Sequence, residues 1–144
     1  MAFTNTLNSA FIWPVRVYYE DTDSGGIVYY ANYLKFLERA RTEWLRSLGI
    51  QQDRLLREQQ LAFIVRSVSL QYRAPARFND LLEVHSGIVR KRRASVVFKQ
   101  QVILPACDSA PLCIGTVEVA CVNATSFKPR PLPAELMAEI ESGR

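Results

Sequence analysis

Apolar positions along this chain change their period near residue 62. Ahead of it, Tyr33, Phe36, Leu37, Ala40, Trp44 and Leu48 recur three and four residues apart, with Glu38, Arg39, Arg41, Glu43 and Arg46 mostly between them. That spacing lays one apolar stripe along a helix of about four to five turns, and Gly49 directly after the stripe is a natural stop. A shorter polar helix is expected around Gln52 to Gln59. Before the long helix, FIWPVRVYY at 11–19 is rich in β-forming residues. It reads as a first strand with Pro14 near its beginning, Val15, Val17 and Tyr19 on one side, and Arg16 and Tyr18 on the other.

From residue 62 the period is two, and the turn clusters APARFND, KRRA and PACDSAP cut the remainder into four strands. Val68, Leu70 and Tyr72 share a face of the first, and Leu82, Val84 and Ile88 a face of the second. Val96, Phe98, Val102 and Leu104 do so in the third, and Val117, Val119 and Cys121 in the fourth. The tail, KPRPLPAELMAEIESGR, has three closely spaced prolines and then a weak helical pattern, which reads as a surface extension. The order of elements predicts an α+β domain with an antiparallel five-stranded sheet packed on one long helix. One helix cannot cover five strands. The sheet must curve around it and leave edges suited to pairing with a second subunit.

A length of 144 residues fits a single domain, 1–144, with a core of about 11–133 and a C-terminal extension at 134–144. Hydrophobic residues make up 49% and charged residues 22%, a balance that excludes a disordered chain. No apolar run reaches the roughly 18 residues of a membrane span, and the start, MAFTNTLNSAFIWP, lacks the basic and apolar regions of a secretory signal. A cytoplasmic address is expected. Cys107, Cys113 and Cys121 form no C-x-x-C pair and read as free thiols, and neither a metal nor another cofactor is expected. The net charge of +4 is modest, but Arg90, Lys91, Arg92, Arg93 and Lys99 cluster. That run suits a nucleic-acid patch, a solvated hairpin end or a cradle for phosphates. No nucleic-acid motif or interleaved stacking aromatics support the first.

The stretch EDTDSGGIVYY, Glu20 to Tyr30, concentrates the candidate chemistry. It sets the Asp23 carboxylate on a Gly-rich turn before the long helix, whose start offers unpaired N–H groups able to hold a developing negative charge. The plainer readings are that Asp21 and Ser24 are local structure, Glu20 is a solvated charge, and Gly25 and Gly26 let the backbone turn. His85, the only histidine, falls on the strand face opposite Leu82, Val84 and Ile88 with Glu83, the place of an ordinary surface or interface residue.

The run VRVYYEDTDSGGIVYYANYLKFLERARTEWL, followed by AFIVRSVSLQYRAPARFNDLLEV and CVNATSFKPRPLP, resembles the hotdog-fold acyl-CoA thioesterases of the 4-hydroxybenzoyl-CoA thioesterase family. Within it the likeness is to the bacterial thioesterases associated with the Tol-Pal envelope system, and it covers residues 14–133. The resemblance implies an antiparallel sheet wrapped around a central helix, dimers with sites at the subunit interface, often tetramers, and hydrolysis of a CoA thioester. It implies Asp23 as the catalytic carboxylate and the backbone N–H at Tyr30 as oxyanion donor. Gly26 and Ile27 would lie against substrate, Phe63 and Ile64 near the acyl pocket, and Arg92, Arg93 and Ser95 against the phosphates of CoA.

Many members of the Tol-Pal-associated group carry a histidine where this chain has Tyr30. A phenol with a pKa of about 10 is no base near neutrality. The histidine is dispensable if the CoA thiol resembles cysteine, with a pKa of about 8.5, because such a thiolate leaves without strong acid assistance. Asp23 then either attacks the carbonyl or activates water. The other class of function is a non-catalytic binding partner for acyl-CoA or acyl-carrier protein in envelope or lipid assembly; under either reading the basic cluster leaves membrane-surface association open. A hotdog dehydratase is disfavoured, because such enzymes generally rely on histidine.

Overall fold

The computed structural model describes residues 11–107 and 110–142. Its elements are β1 (Phe11–Arg16), α1 (Asn32–Ser47), α2 (Gln52–Gln59), β2 (Leu61–Tyr72), β3 (Leu81–Lys91), β4 (Ser95–Ile103), β5 (Pro111–Asn123) and α3 (Ala134–Ser142). The five strands form one antiparallel sheet in the order β1-β3-β4-β5-β2, the expected hotdog arrangement around α1. Of the expected turn at 105–111, residues 108 and 109 lie outside the described residues, as do 1–10 of the expected non-signal start. No helix among the described residues is long and apolar enough to cross a membrane.

The apolar stripe of α1 is the centre of the core: Tyr33, Phe36, Leu37, Ala40, Trp44 and Leu45 are buried, and Leu48 is half-buried. Gly49 ends the helix at a φ of +85°, and the N–H groups of Gly49 and Ile50 donate to the Arg46 and Leu45 carbonyls at 2.9 Å. On the sheet side, Gly115 allows the close approach. A Cβ at that position would lie 2.8 Å from Leu37 Cδ1 and 2.9 Å from Leu70 Cδ2.

A polar node sits inside this contact. Gln100 shares the inward face of β4 with Val96, Phe98 and Val102 and is fully buried. Its Nε2 donates to the Leu37 carbonyl at 3.0 Å and to Ser86 Oγ at 2.9 Å, and its Oε1 accepts from Arg41 Nη1 at 3.0 Å. Arg41, which the helical pattern puts among the polar positions, is itself buried.

β2 is an edge strand and carries a bulge between Val65 and Ser67. Phe63 and Val65 stand opposite Cys121 and Val119 before it, and Val68, Leu70 and Tyr72 stand opposite Val117, Gly115 and Cys113 after it. The extra residue thus restores parity, and both apolar series face inward. The helix does not cover this edge: Val65 and Val68 remain exposed.

Two expectations are corrected. β1 ends at Arg16, and Tyr19 enters a short 3-10 turn, Tyr19–Asp21, where it is 76% exposed and stacks on Phe78 rather than facing inward. The tail is also no surface extension. Arg130 and Leu132 donate backbone hydrogen bonds to Cys121 and Arg93, and Leu132, Leu136 and Ile140 join the core. The four-residue spacing of Leu136 and Ile140 is a buried helix face that the preceding prolines obscure.

Gly115→Ala is expected to lower the unfolding free energy by about 1–3 kcal/mol, measured by urea denaturation, because the methyl group meets Leu37 and Leu70. Cys107 is exposed, whereas burial pushes the Cys113 thiol up to about 12 and the Cys121 thiol up to about 11. A thiol reagent near neutral pH should therefore titrate one cysteine rapidly in the native protein and all three in denaturant; rapid reaction of three native thiols would contradict this packing.

Candidate active site

The segment from Tyr18 to Asn32 is held by Asp21, which is 5% exposed. Its Oδ2 accepts the Tyr18 N–H at 2.9 Å, its Oδ1 accepts Asn32 Nδ2 at 2.6 Å, and its carbonyl accepts the Tyr29 N–H at 2.9 Å. Asp21 thereby clamps the segment just after β1, the returning loop and the first residue of α1 together. It reaches the side chain of Asn32 and does not cap the helix backbone, and among the described residues no side chain does. Ser24 is exposed.

Between the arms of this clamp, residues 22–28 form a tight hairpin closed by the Thr22–Val28 bridge. The Asp23 N–H donates to the Ile27 carbonyl at 2.9 Å, its carbonyl accepts the Gly26 N–H at 3.1 Å, and its Oδ1 accepts the Gly25 N–H at 2.8 Å. Gly26 takes a φ of +82°, where a side chain would be strained. The hairpin docks on the segment after β2 through the Ile27–Arg77 bridge and the Val28 N–H to Ala76 carbonyl bond of 2.8 Å. The Asp23 carboxylate is left exposed on this fixed loop.

Tyr30 precedes α1 with 62% of its surface exposed. Its carbonyl accepts the Tyr72 hydroxyl at 3.1 Å, and the Tyr29 and Tyr72 rings lie 5.0 and 6.2 Å from its own. Among the described residues, nothing accepts the N–H of Tyr30 or of Ala31. Burial first, then the neighbouring Cys113 and Tyr30, push the Tyr72 phenol up, so it remains a donor. The pattern of β2 marks Tyr72 only as an inward aromatic; its bond to Tyr30, 42 residues away, has no local signal in the sequence.

The structure brings Asp23, Gly26, Ile27 and Tyr30 together in one loop, but not the remaining candidates. Phe63 faces inward and, with Arg41, Phe98 and Val119, lines a cavity of about 140 Å³. Ile64, next in the strand, points to the opposite face and is exposed. Arg92 and Arg93 lie in the β3–β4 turn, closed by the Arg92 N–H donating at 2.8 Å to the carbonyl of Ser95, the buried first residue of β4. Ser95 and Ile64 flank Ala120 of β5, whereas Tyr72 stands opposite Cys113. At roughly 3.4 Å per residue, that separates the basic turn from the Asp23 end of the same chain by about 24 Å. His85 bonds Glu83 at 2.9 Å on the outer face of β3. Among the described residues, no group of three His, Cys, Asp or Glu side chains could hold a metal.

Comparison with known proteins agrees with this architecture. An acyl-CoA thioesterase, YbgC, of Haemophilus influenzae is 46% identical over 132 residues, covering 92% of this chain and 95% of that protein. The crystal structure of a probable thioesterase from Bartonella henselae superposes with a TM-score of 0.79 at 36% identity, covering 86% of this chain and 100% of that one. The 1,4-dihydroxy-2-naphthoyl-CoA thioesterase Slr0204 from Synechocystis shares the fold at a TM-score of 0.84 and 24% identity, over 90% and 94% of the two chains. The thioesterase-like superfamily model matches residues 17–140, and the chain belongs to that family.

Proposed function

We propose that the protein hydrolyses acyl-CoA thioesters, with Asp23 as nucleophile or general base and the Tyr30 backbone N–H as oxyanion donor. The observation that carries this reading is the bare helix start: the Tyr30 and Ala31 N–H groups have no acceptor among the described residues, beside a loop that holds an exposed carboxylate. The names of the H. influenzae and B. henselae relatives support the same chemistry. In one route Asp23 attacks the thioester carbon, the carbonyl oxygen becomes an oxyanion, the C–S bond breaks, and water then cleaves the mixed anhydride. In the other, Asp23 takes a proton from water as the water attacks, and the departing thiolate is protonated by solvent. Both need the oxyanion donor, which in other enzymes contributes about 3–4 kcal/mol.

The same reading assigns a second copy of the chain to the β2 edge. Among the described residues no strand pairs with the outer side of β2, which exposes Ile64, Val65, Val68 and Tyr72. Antiparallel pairing of two β2 edges about a two-fold axis sets the Phe63 and basic-turn end of one copy beside the Asp23 end of the other. That removes the separation of about 24 Å found within one chain. CoA phosphates on Arg92 and Arg93 of one copy and the thioester at Asp23 of the other then belong to one site, in a dimer or a tetramer.

Asp23→Asn keeps the Gly25 hydrogen bond and removes the charge. It is expected to cut kcat/KM for acyl-CoA by about 10²–10⁴-fold, read by thiol release across acyl chain lengths and acyl-carrier-protein esters. Wild-type turnover by the variant would sink the assignment. Val68→Arg places a charge on the inward face of the β2 edge. By light scattering it is expected to shift the protein from a multi-chain to a single-chain mass and to lower kcat/KM; unchanged mass and activity would exclude this pairing.

A further inference from the structure

The cavity between α1 and the β2 side of the sheet is apolar along Phe63, Phe98, Val119 and Leu136, yet it contains a guanidinium. Arg41 is only 8% exposed, and Gln100 occupies one of its five N–H donors. Among the described residues no other hydrogen bond or ion pair engages it. Burial lowers its pKa and Glu38 opposes that shift, but a guanidinium stays protonated. Glu38 stands exposed at the rim of the same cavity with its Oε2 occupied by the Thr42 hydroxyl at 2.7 Å; it acts on Arg41 across the hollow, but among the described residues no ion pair joins the two. The guanidinium thus presents N–H donors to a largely apolar hollow, where a hydrogen bond to a charged group is stronger than in water.

We propose that this cavity receives the far end of the acyl group and that Arg41 selects acyl groups ending in a carboxylate, the half-thioesters of short dicarboxylic acids. The inference rests on the thioesterase reading and on the β2 pairing, which brings the Asp23 loop of a second copy to the Phe63 end. Size restricts the ligand. A hollow of about 150 Å³ accommodates a benzene ring, so the 140 Å³ here takes about five or six non-hydrogen atoms. Charge and shape select its end. The free edge of a guanidinium matches a carboxylate in a two-bond fork, which an ammonium or a hydroxyl does not reproduce. A methyl-ended chain of equal length would cover the Arg41 N–H groups that open onto the cavity without bonding them, the situation in which polar sites discriminate most strongly.

The test compares glutaryl-CoA with valeryl-CoA, two five-carbon acyl groups, as kcat/KM above buffer hydrolysis. Wild type is expected to favour glutaryl-CoA by about tenfold or more. Arg41→Met fills the same space without donors and is expected to reverse the ratio; Arg41→Lys keeps the charge, loses the fork and is expected to reduce it severalfold. A wild-type ratio at or below one overturns the proposal while leaving the thioesterase reading intact, and needs no variant to fold. A preference that survives in folded Arg41→Met also overturns it. Absence of turnover on every acyl-CoA would instead sink the thioesterase reading itself.

Discussion

The helix and the sheet are registered to each other by one buried carboxamide. Gln100 sends both of its N–H donors into the core, to the Leu37 carbonyl on α1 and Ser86 on β3, and takes the Arg41 guanidinium on its oxygen. Apolar packing of Phe36, Leu37 and Trp44 against the sheet supplies the driving force, but that term is non-directional. The Gln100 node is directional. A slide of α1 along the sheet would leave the fully buried Gln100 carboxamide without its partners, at a cost of several kcal/mol. With Gly115 setting the depth and Gln100 the position, the start of α1 is fixed where Tyr30 meets Tyr72.

That fixed helix start makes a short loop adequate for chemistry. Asp21 and Asp23 lie two residues apart and have opposite environments. One is buried, with both oxygens bonded, and joins Tyr18, just after β1, to Asn32; the other is exposed and accepts a single bond from Gly25. The buried carboxylate bears the structural load, so the exposed one need not. On the proposed reading this separation lets Asp23 react without loosening the loop that aims it.

Elements set by local periodicity were legible in the sequence, and those set by distant partners were not. The stripe from Tyr33 to Leu48 with Gly49 marks a helix observed at Asn32–Ser47, and the turn clusters separate the four strands. Arg41 was different: a charged residue between apolar positions reads as solvated, and only Gln100, 59 residues away, reveals it as buried. Gln100 likewise sits in a strand whose other inward residues are apolar. The site divides in the same way. A contiguous motif carries Asp23 and Tyr30, while the distance of the Arg92–Ser95 turn from them is a property of sheet order, which no window of sequence contains.

Sheet order also explains why so small a fold leaves apolar surface uncovered. Sixteen residues of α1 lie over five strands, and β2, at the edge, keeps Val65 and Val68 in solvent despite an inward register repaired by a bulge. A monomer could correct this with polar residues at those positions, because edge strands tolerate them. Retaining valine is disadvantageous for a lone chain and favourable for a paired one. The pairing that would cover these valines is the same antiparallel pairing that would bring the basic turn and the cavity of one copy to the Asp23 loop of another. On the proposed reading, the edge that stability requires to be covered is therefore the edge along which the active site is assembled, so losing the contact would remove both at once.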